Sequence, residues 1–565
     1  MNGASIPKDI AQPVGLPTIA GGLVRPLGGP RDLQDHQVYS IQNLIPYQGV
    51  LRTRDGRSLL GTRLATDEAI LGLDNFAWQY PVGSNQPLPT AIGTKCLYVY
   101  EDTAWRKLQT VTANAVPEDT HVTTASIKNK NAQDCYAISY QMARPVTYFN
   151  GEEVGGSGFI FLGGVPLRAQ IVRTLNDHLI LFNVMDDSGV CIDRIRWGDY
   201  EDPFDFNEQH GTAGMWDIGS PDTYVKGRGG IIAAEPLRLP SGETVMIIYQ
   251  EWGVHVMRWV GLPAVFSLQT IITDEGAASP RAVVPILTKE GEAHLVFGQR
   301  GIYIHRGSAA YDDVSQSSVF AYLVEYGATG TNRYRIFGYD RPQDFRVDFH
   351  LPLSMDPTLT WDTSAGAKWD TPPTSLLTWD PTRANVIFSY NYKEGTWTYL
   401  SVSHDDVLCA APKTVRKHSF MAGVESDVVM YGTSDGYVLE DEADTGVDAL
   451  ASYNFNCRVD TKQFVSFDET VSCSRKGRIE RVGIEARGSG QMTIYMKYDE
   501  ADWVLCRTVT LTAAYDIWWI YPETSCEYYQ ISIRCAEWED DDEVMQPSYM
   551  WVKQILRDVI PGTGR

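Results

Sequence analysis

The chain has 565 residues, with 48 Lys and Arg against 71 Asp and Glu, so its formal net charge is −23. Hydrophobic residues make up 43 % and charged residues 21 %; this is ordinary globular usage and excludes a disordered chain, a collagen and a coiled coil. Apolar runs stop well short of the ~18 residues that span a bilayer. Residues 1–30 show no basic start followed by an apolar run, so we expect no membrane span and no secretory signal.

The charge and the cysteines indicate which partners to expect. A strongly acidic surface repels nucleic-acid phosphates, so we expect DNA to pass near the protein without specific binding. The nine cysteines are scattered and form no C-x-x-C pair, which argues against a zinc site or a dense disulfide framework and fits synthesis in a reducing cytosol. The acidic run at residues 539–543 lacks calcium-loop spacing and is interpreted as a solvated loop. We expect no metal or other cofactor.

Short β-rich runs bounded by Gly, Pro, Asn or Asp recur along the chain and predict a mainly β protein. Helical periodicity is scarce, with a modest pattern at residues 549–559 as the exception. The β-rich runs include residues 95–100, 243–249, 293–297, 384–390 and 427–431.

A weak repeat combines a strand, a polar turn with Gly and a second, aromatic strand. Its glycines, Gly253, Gly301, Gly395 and Gly436, lie 48, 94 and 41 residues apart, and 94 is about two units of 47 with a degenerate unit near residues 345–349. Spacings of ~40–50 residues are those of β-propeller blades, where Gly supplies a positive φ at a hairpin turn. We expect a β-propeller over residues 61–450, joined by an N-terminal arm, 1–60. Unrelated hairpins in a sandwich are the alternative.

The last part of the chain has a different pattern. Polar and apolar residues largely alternate there, which is typical of a half-buried antiparallel sheet. We expect residues 451–565 to form an antiparallel β-sandwich or jelly-roll-like domain. The alternating segments are residues 478–486, 491–498, 503–511 and 528–535.

Catalytic motifs mostly fail in this sequence. Residues 432–436 match G-x-S-x-G, but a nucleophile elbow precedes a helix, and here a strand follows at once, so we expect a hairpin tip. No H-E-x-x-H and no P-loop occur, and no acidic pair stands out as a glycosidase pair. We therefore expect no enzyme and nominate no catalytic residue.

A Trp-rich insertion interrupts the predicted propeller at residues 358–381. It contains Trp361, Trp369 and Trp379, each followed by Asp, and lacks the period of a WD repeat. One interpretation is a loop whose rings cover blade edges. The other is an extended loop that contacts a neighbouring subunit or gates a channel, because Trp is a favoured interface anchor.

Several segments in one order resemble a known family. Residues 41–56 contain an Asn-Leu segment, then Gly, then Arg-x-Arg-x-Gly, after the Gly-rich residues 21–30. Residues 194–206 read RIRWGDYEDPFDF, residues 276–281 read GAASPR and residues 298–303 read GQRGIY. Together they resemble phage tail nozzle proteins, also called tail tubular B-like proteins, whose corresponding elements are R-W-S-D-x-x-D-P-x-D-W, G-x-x-S/A-P-R and G-x-x-G-V-Y. This chain departs from the first of these at Gly198 and Phe206.

The resemblance implies a structural virion protein with a β-propeller, forming a homo-hexameric ring at the distal end of a short phage tail. Its partners would be copies of itself, tail adaptor or portal proteins, and tail fibre, spike or needle proteins, with the ejected genome in the channel. It would be made in the host cytoplasm and located in the virion. A receptor- or carbohydrate-binding propeller and a glycan hydrolase of a tail are the alternatives. We expect Arg196, Trp197 and Asp199 to hold a blade turn.

Overall fold

The computed structural model consists almost entirely of β-strands. Among the residues it describes, no helix is long and apolar enough to cross a membrane. The described residues are 14–15, 38–48, 50–64, 68–77, 87–101, 103–110, 115–132, 134–149, 159–161, 167–218, 229–315, 319, 330–342, 344–352, 386–401, 407–413, 428–442, 447–448, 453–454, 457–461, 463–465, 477–499, 501–522, 524–535 and 549–560.

The strands are numbered along the chain. The first five are β1 (Val14–Gly15), β2 (Val38–Gln42), β3 (Leu44–Tyr47), β4 (Val50–Thr53) and β5 (Gly56–Leu59). The next twelve are β6 (Ile70–Ala77), β7 (Pro87–Gly93), β8 (Cys96–Glu101), β9 (Ala104–Thr110), β10 (Thr123–Lys128), β11 (Asp134–Ser139), β12 (Thr147–Phe149), β13 (Phe159–Phe161), β14 (Arg168–Leu175), β15 (His178–Asp186), β16 (Gly189–Trp197) and β17 (Gly214–Asp217).

A second group of strands is interrupted by a 3₁₀ helix at Gly330–Arg335. These are β18 (Ile231–Arg238), β19 (Thr244–Gln250), β20 (Gly253–Gly261), β21 (Val265–Ile272), β22 (Val283–Thr288), β23 (Gly291–Phe297), β24 (Ile302–His305), β25 (Tyr311–Asp313), β26 (Phe337–Arg341), β27 (Arg346–Leu351), β28 (Val386–Asn391), β29 (Thr396–Ser401), β30 (Val407–Lys413), β31 (Val428–Thr433) and β32 (Val438–Glu442).

The remaining strands run to the end of the described chain. They are β33 (Val447–Asp448), β34 (Tyr453–Asn454), β35 (Cys457–Thr461), β36 (Phe464–Val465), β37 (Gly477–Ser489), β38 (Gln491–Tyr498), β39 (Val504–Thr510), β40 (Asp516–Ile520), β41 (Ser525–Cys526), β42 (Tyr528–Cys535) and β43 (Tyr549–Ile560).

The chain divides into two compact units. The propeller unit comprises Ser58–Phe388 and His404–Asp441, and the sandwich unit comprises Met1–Arg57, Ser389–Ser403 and Glu442–Arg565.

Seven sheets follow one another along the chain, and their strands lie in the propeller unit except for the end of β28, all of β29 and the start of β5, which belong to the sandwich unit. Sheets 1 to 6 are formed by β6–β9, β10–β13, β14–β17, β18–β21, β22–β25 and β26–β29 in chain order, and sheet 7 joins β30, β31 and β32 to β5. The first strand of each sheet lies against the first strand of the next, and β30 of sheet 7 lies against β6 of sheet 1. The sheets therefore return to their starting point, as the blades of a seven-bladed propeller do.

The last sheet is completed by the earliest strand of the unit. The Leu60 N–H donates to the Val438 carbonyl at 2.8 Å, and the Leu64 N–H donates to the Gly436 carbonyl at 2.9 Å. A neighbouring apolar cluster, which includes Ile70 and Met430, fills the space between sheets 7 and 1. Backbone hydrogen bonds and apolar packing therefore both close the circle.

Apolar clusters join most successive sheets, but the contact of sheets 6 and 7 is ionic. Arg341 of β26 pairs with Asp441 of β32, and the Tyr431 hydroxyl donates to Asp441 at 2.9 Å. Arg346 Nε lies 2.9 Å from Asp348 Oδ1 on β27. All of these side chains are buried or nearly so, which makes the geometry of this joint highly specified.

The sandwich unit contains two further sheets. The first has the order β3-β4-β43-β37-β40, with β1 on β43 and β41 on β37; the second has the order β2-β35-β42-β38-β39, with β36 on β42. In β38 the residues Met492, Ile494 and Met496 are fully buried and alternate with more exposed positions. The alternation predicted for this part of the chain is therefore present, and the mainly β class with antiparallel sheets is confirmed.

The unit boundaries differ from the predicted ones. The sequence predicts that residues 1–60 form an arm joining the propeller, but β2 pairs with β35 and β4 with β43, both in the sandwich unit. Leu44 and Leu51 are fully buried there, so apolar burial draws these strands into the sandwich. The stretch from Ser58 to Leu60 does join the propeller.

Two local predictions also change. The modest helical pattern at residues 549–559 is wrong, because β43 covers this stretch and pairs along its length with β37; tertiary pairing overrides a weak local pattern. Gly395 and Gly436 have the expected positive φ, 69° and 80°, whereas Gly253 and Gly301 do not have a positive φ, so the prediction is wrong for these two. Gly253, Gly301 and Gly436 lie between the second and third strands of their sheets, whereas Gly395 lies between the third and fourth.

Two buried histidines share one tyrosine hydroxyl between sheets 4 and 5. Tyr249 Oη lies 2.9 Å from His294 Nδ1 and 3.1 Å from His305 Nδ1. The Nε2 atoms lie 3.1 Å from the Pro236 carbonyl and 2.9 Å from the Ser308 carbonyl, so each Nε2 carries the proton. Burial lowers the pKa of both histidines to about 4, although the two carbonyls favour the charged form.

This arrangement predicts acid sensitivity. Because the folded pKa of His294 and of His305 lies below the unfolded value near 6.5, the stability due to the neutral rings is present above pH 6.5. It is lost as the pH falls toward 4. Urea unfolding should show a loss on the order of 2 kcal/mol per histidine between pH 7 and pH 5. The His305→Asn variant should lose less over this interval, whereas the exposed-site control His210→Asn should behave as wild type. Equal losses in all three proteins would contradict the assignment.

Candidate functional site

The segment with the R-W-G-D pattern forms a closed loop after β16. Arg196 Nη2 donates to the Phe206 carbonyl at 2.9 Å, and Trp197 Nε1 donates to the Thr212 carbonyl at 2.8 Å. Asp199 Oδ1 accepts from the Thr212 N–H at 2.6 Å and from its hydroxyl at 2.9 Å. Burial acts to raise the pKa of Asp199, but these hydrogen bonds outweigh it and the pKa is lowered. The three residues hold a turn of sheet 3, as the sequence predicts.

Arg194, in the same segment, links three adjacent strands of sheet 3. Its Nε and Nη2 bind both oxygens of Asp217 at 2.7 and 2.8 Å, and its Nη1 binds Asp186 at 2.8 Å. A two-point contact between a guanidinium and a carboxylate fixes orientation as well as distance. Because Asp186 lies on β15 and Asp217 on β17, this one arginine of β16 holds three adjacent strands.

The two segments GAASPR and GQRGIY meet at a buried carboxylate, Glu275. Its Oε1 accepts from the Gly276 and Gln299 N–H groups at 3.1 and 2.6 Å, and its Oε2 accepts from the Arg300 N–H at 3.1 Å. The Tyr303 hydroxyl returns a hydrogen bond to the Gly276 carbonyl at 3.1 Å. Burial nevertheless leaves the pKa of Glu275 raised. The segments thus form one structural joint between sheets 4 and 5.

A further cluster, the axial cluster, lies where the first strands of the sheets converge. Arg281, just before β22, reaches the Leu71 carbonyl of sheet 1 at 3.4 Å and the Leu408 carbonyl of sheet 7 at 2.9 Å. Its Nη2 also donates to His121 Nδ1 at 3.1 Å, and His121 Nε2 donates to the Tyr334 carbonyl at 2.5 Å. One side chain therefore spans the axis of the propeller unit.

The Arg281 charge has no acidic partner in the part of the chain that the structure describes. Its guanidinium lies 5.1 Å from the centre of the Phe337 ring, and Nε makes no hydrogen bond. Burial lowers the pKa of Arg281, and it lowers the pKa of His121 to about 3, with the Arg281 charge as the second cause. His121 is therefore a neutral acceptor. The sequence analysis named Arg281 only as the last residue of the GAASPR segment and did not predict a role for its side chain.

The predicted subunit-contact or gating residues Trp361, Trp369 and Trp379 lie outside the described residues, as does the whole 358–381 stretch. The G-x-S-x-G match at residues 432–436 forms the turn of the β31–β32 hairpin, as predicted. No group of three or more His, Cys, Asp or Glu side chains among the described residues is placed to hold a metal ion.

A polar cleft of about 470 Å³ lies between the turns of sheets 2, 3 and 4. Lys128 and Asp134 line it from the β10–β11 turn, with Lys128 Nζ 3.4 Å from Asp134 Oδ1. Asn176 and Asp177 line it from the β14–β15 turn, and Thr244 lines it from sheet 4. Its volume falls in the range of small-molecule sites, and its hydroxyl, amide and carboxylate groups suit a ligand rich in hydroxyls.

No family model matches the chain, and no curated protein matches it. Solved structures to which the chain shows some similarity include a mutant of CBM29-2, a family 29 carbohydrate-binding module. It has 12 % identity and a TM-score of 0.13, covering 18 % of this chain and 61 % of that one. The chain thus spans about three fifths of that module.

Two larger structures are also similar. One is an exo-β-1,3-galactanase from Phanerochaete chrysosporium with galactose, at 9 % identity and TM-score 0.23, covering 77 % of this chain and 95 % of that one. The other is BBS1N in complex with ARL6DN, at 11 % identity and TM-score 0.27, covering 47 % and 74 %. TM-scores this low carry no inference of function.

Replacing Arg281 tests the axial cluster. The Arg281→Met variant keeps most of the side-chain volume but leaves two backbone carbonyls and the buried His121 Nδ1 without their donor, so we expect a loss of about 3 kcal/mol in the free energy of unfolding. The control is Arg306→Met in the same sheet, whose ion pairs with Glu290 and Asp312 are partly exposed and should contribute under ~1 kcal/mol. Urea unfolding measures both, and equal losses would exclude a special role for Arg281.

Proposed function

We propose that this protein is a structural component of a phage tail, forming the distal nozzle ring from copies of itself. The proposal rests first on the ordered motifs that resemble tail nozzle proteins. In the fold, those from residue 194 onward supply hydrogen bonds and ion pairs that hold turns and joints of the propeller unit. A scaffold needs such residues, whereas an enzyme also needs reactive groups facing a substrate.

The axial cluster bears on where a channel would run. Arg281 connects sheets 1, 5 and 7, so at least one side chain crosses the axis there. In the proposed ring, the genome therefore passes between encircling copies and not through the axis of any one propeller. A net charge of −23 per copy would let DNA slide without adhering.

An exposed apolar hairpin tip is the structural observation that most supports self-assembly, and so the proposed ring. The tip of the β20–β21 hairpin, residues 259–264, comprises the end of β20 and the turn and is uncharged; Trp259, Val260 and Leu262 there are 47 %, 51 % and 77 % exposed. Consecutive exposed apolar residues are costly in water unless they have a binding role. Because acidic copies repel one another, an uncharged tip is a suitable place for them to meet.

Native mass spectrometry and negative-stain microscopy of the full chain test the ring directly. We expect a hexamer with a central channel for wild type. In the Trp259→Ser/Leu262→Ser variant we expect a shift of at least tenfold toward monomer at equal concentration, because the contact loses its apolar area. Leu287→Ser, which removes an exposed apolar residue elsewhere (67 % exposed), is the control. A wild-type chain that stays monomeric at micromolar concentration would contradict the proposed function.

The remaining partners follow from the same proposal. A ring at the end of a tail contacts adaptor or portal proteins on its upstream side and carries fibres, spikes or a needle. The protein would be made in the host cytoplasm and located in the virion. The Trp-rich stretch with Trp361, Trp369 and Trp379 is the proposed subunit-contact or gating loop.

The polar cleft favours a second candidate function, binding of a host glycan by the propeller. Asp134 and Asp177 offer carboxylates at its rim, and Asn176 and Thr244 add amide and hydroxyl groups. Carboxylates and amides are common hydrogen-bond partners for sugar hydroxyls. Such binding is compatible with a tail protein that meets the host surface, and also with a receptor-binding propeller outside any ring.

Calorimetric titration with host envelope polysaccharide tests the cleft. If it binds glycan, the Asp134→Ala and Asp177→Ala variants should each weaken binding roughly tenfold, because each loses about one charge-assisted hydrogen bond. Asp312→Ala, exposed on sheet 5, should bind as wild type. Absence of binding by the wild type, or equal binding by all variants, would exclude this cleft as a glycan site.

A further inference from the structure

Two buried cysteines face each other in the second sheet of the sandwich unit. Strands β35 and β42 pair antiparallel, and Cys457 lies directly opposite Cys535. Each is 1 % exposed. The Cys457 Sγ donates to the Asn43 carbonyl at 3.6 Å, and the neighbouring Cys457 side chain together with burial raises the pKa of Cys535 well above its ordinary value. Because directly opposite residues of an antiparallel pair lie on the same face of the sheet, the two thiols are cross-strand neighbours.

The backbone geometry of this pair suits a disulfide. Directly opposite residues in an antiparallel pair have Cα atoms about 4.5 or 5.5 Å apart, and a disulfide accepts Cα separations of about 4.4–6.8 Å. The strands need no rearrangement to bring the sulfurs together. Other buried cysteines face residues that are not cysteine: Cys96 faces Thr110, Cys135 faces Ile127 and Cys409 faces Gly432.

We propose that Cys457 and Cys535 form a specific oxidation site, which closes to a cross-strand disulfide when the protein meets a low-molecular-weight disulfide such as oxidised glutathione. The inference concerns the sandwich unit and does not depend on the proposed function.

The reaction balances as thiol–disulfide exchange. The thiolate of one cysteine attacks a sulfur of the oxidant, forming a mixed disulfide and releasing one small thiolate. The second cysteine then attacks the protein sulfur of that mixed disulfide and releases the other. The two protein thiols lose two protons, which the two released thiolates take up. The oxidant's S–S bond is reduced as the Cys457–Cys535 bond forms.

Burial makes this a slow, protected event in the folded chain. The raised pKa of Cys535 keeps its thiolate scarce, and oxidant reaches the pair only when β35 or β42 opens. In a reducing cytosol the pair stays reduced. Once formed, the bond would enclose β35 to β42 in one covalent loop and so restrict the unfolded state of the sandwich unit.

The experiment uses the full chain, equilibrated with oxidised glutathione both as folded protein and during refolding from denaturant. We expect two of the nine thiols to disappear, a peptide linking Cys457 to Cys535 in mass spectra, and a rise of roughly 5 °C or more in the sandwich unfolding temperature. Dithiothreitol should reverse all three changes.

Matched variants separate this pair from adventitious oxidation. Cys457→Ser and Cys535→Ser should abolish the linked peptide and the stabilisation, whereas Cys506→Ser, which removes a partly exposed thiol outside the pair, should retain both. Nine free thiols under both conditions, glutathione attached elsewhere only, or a linkage between other cysteines would overturn the proposal. A change in oligomeric state bears on the proposed function and leaves this result unaffected.

Discussion

The circle of sheets in the propeller unit depends on the hydrogen bonds of Arg281 at its axis, where the first strands converge. Arg281 is suited to that place because a guanidinium offers five N–H donors in one plane. It donates to backbone carbonyls of sheets 1 and 7 and to His121 before sheet 2, while its plane lies near the Phe337 ring of sheet 6. Taking a cation partly out of water without an acid is costly, and carbonyl dipoles and an aromatic ring offset that cost for the half-buried Arg281. Elements far apart in sequence therefore share a single fixed point.

The joints between sheets are not equivalent. Apolar clusters join sheets 1 to 5 in succession and sheet 7 to sheet 1, and such packing tolerates small adjustments. Sheets 6 and 7 instead meet through Arg341, Asp441 and Tyr431. Loss of one partner there would leave a buried charge unpaired. The segments at residues 194–206, 276–281 and 298–303 also lie at joints and turns. Their common feature is the positioning of backbone, which explains why residues of such different chemistry accompany one another in the chain.

The sequence predicted the class of fold from strand alternation and turn residues, since both are local signals. The sequence could not show which strands pair with one another in each sheet. The turn at Gly395 has the same chemistry as the turn at Gly436 but lies at a different position in its sheet, because a hairpin turn is the same at either end of a blade. Strands β2 to β4 are short and give no indication of which sheet they join. Arg281 and the Cys457–Cys535 pair were missed as sites for one reason: each depends on contacts between residues far apart in sequence.

The closure of sheet 7 imposes an order on biosynthesis. The segment from Ser58 to Leu60 leaves the ribosome early, yet its partner Val438 is synthesised long afterwards. At ~5–20 residues per second, the delay is on the order of 20 to 80 s. Throughout that time an unpaired strand and the open flank of sheet 1 are available to other nascent chains, a hazard for any exposed β edge. The circular arrangement thus brings the last sheet against the first only after an interval during translation in which sheet 1 lacks that neighbour.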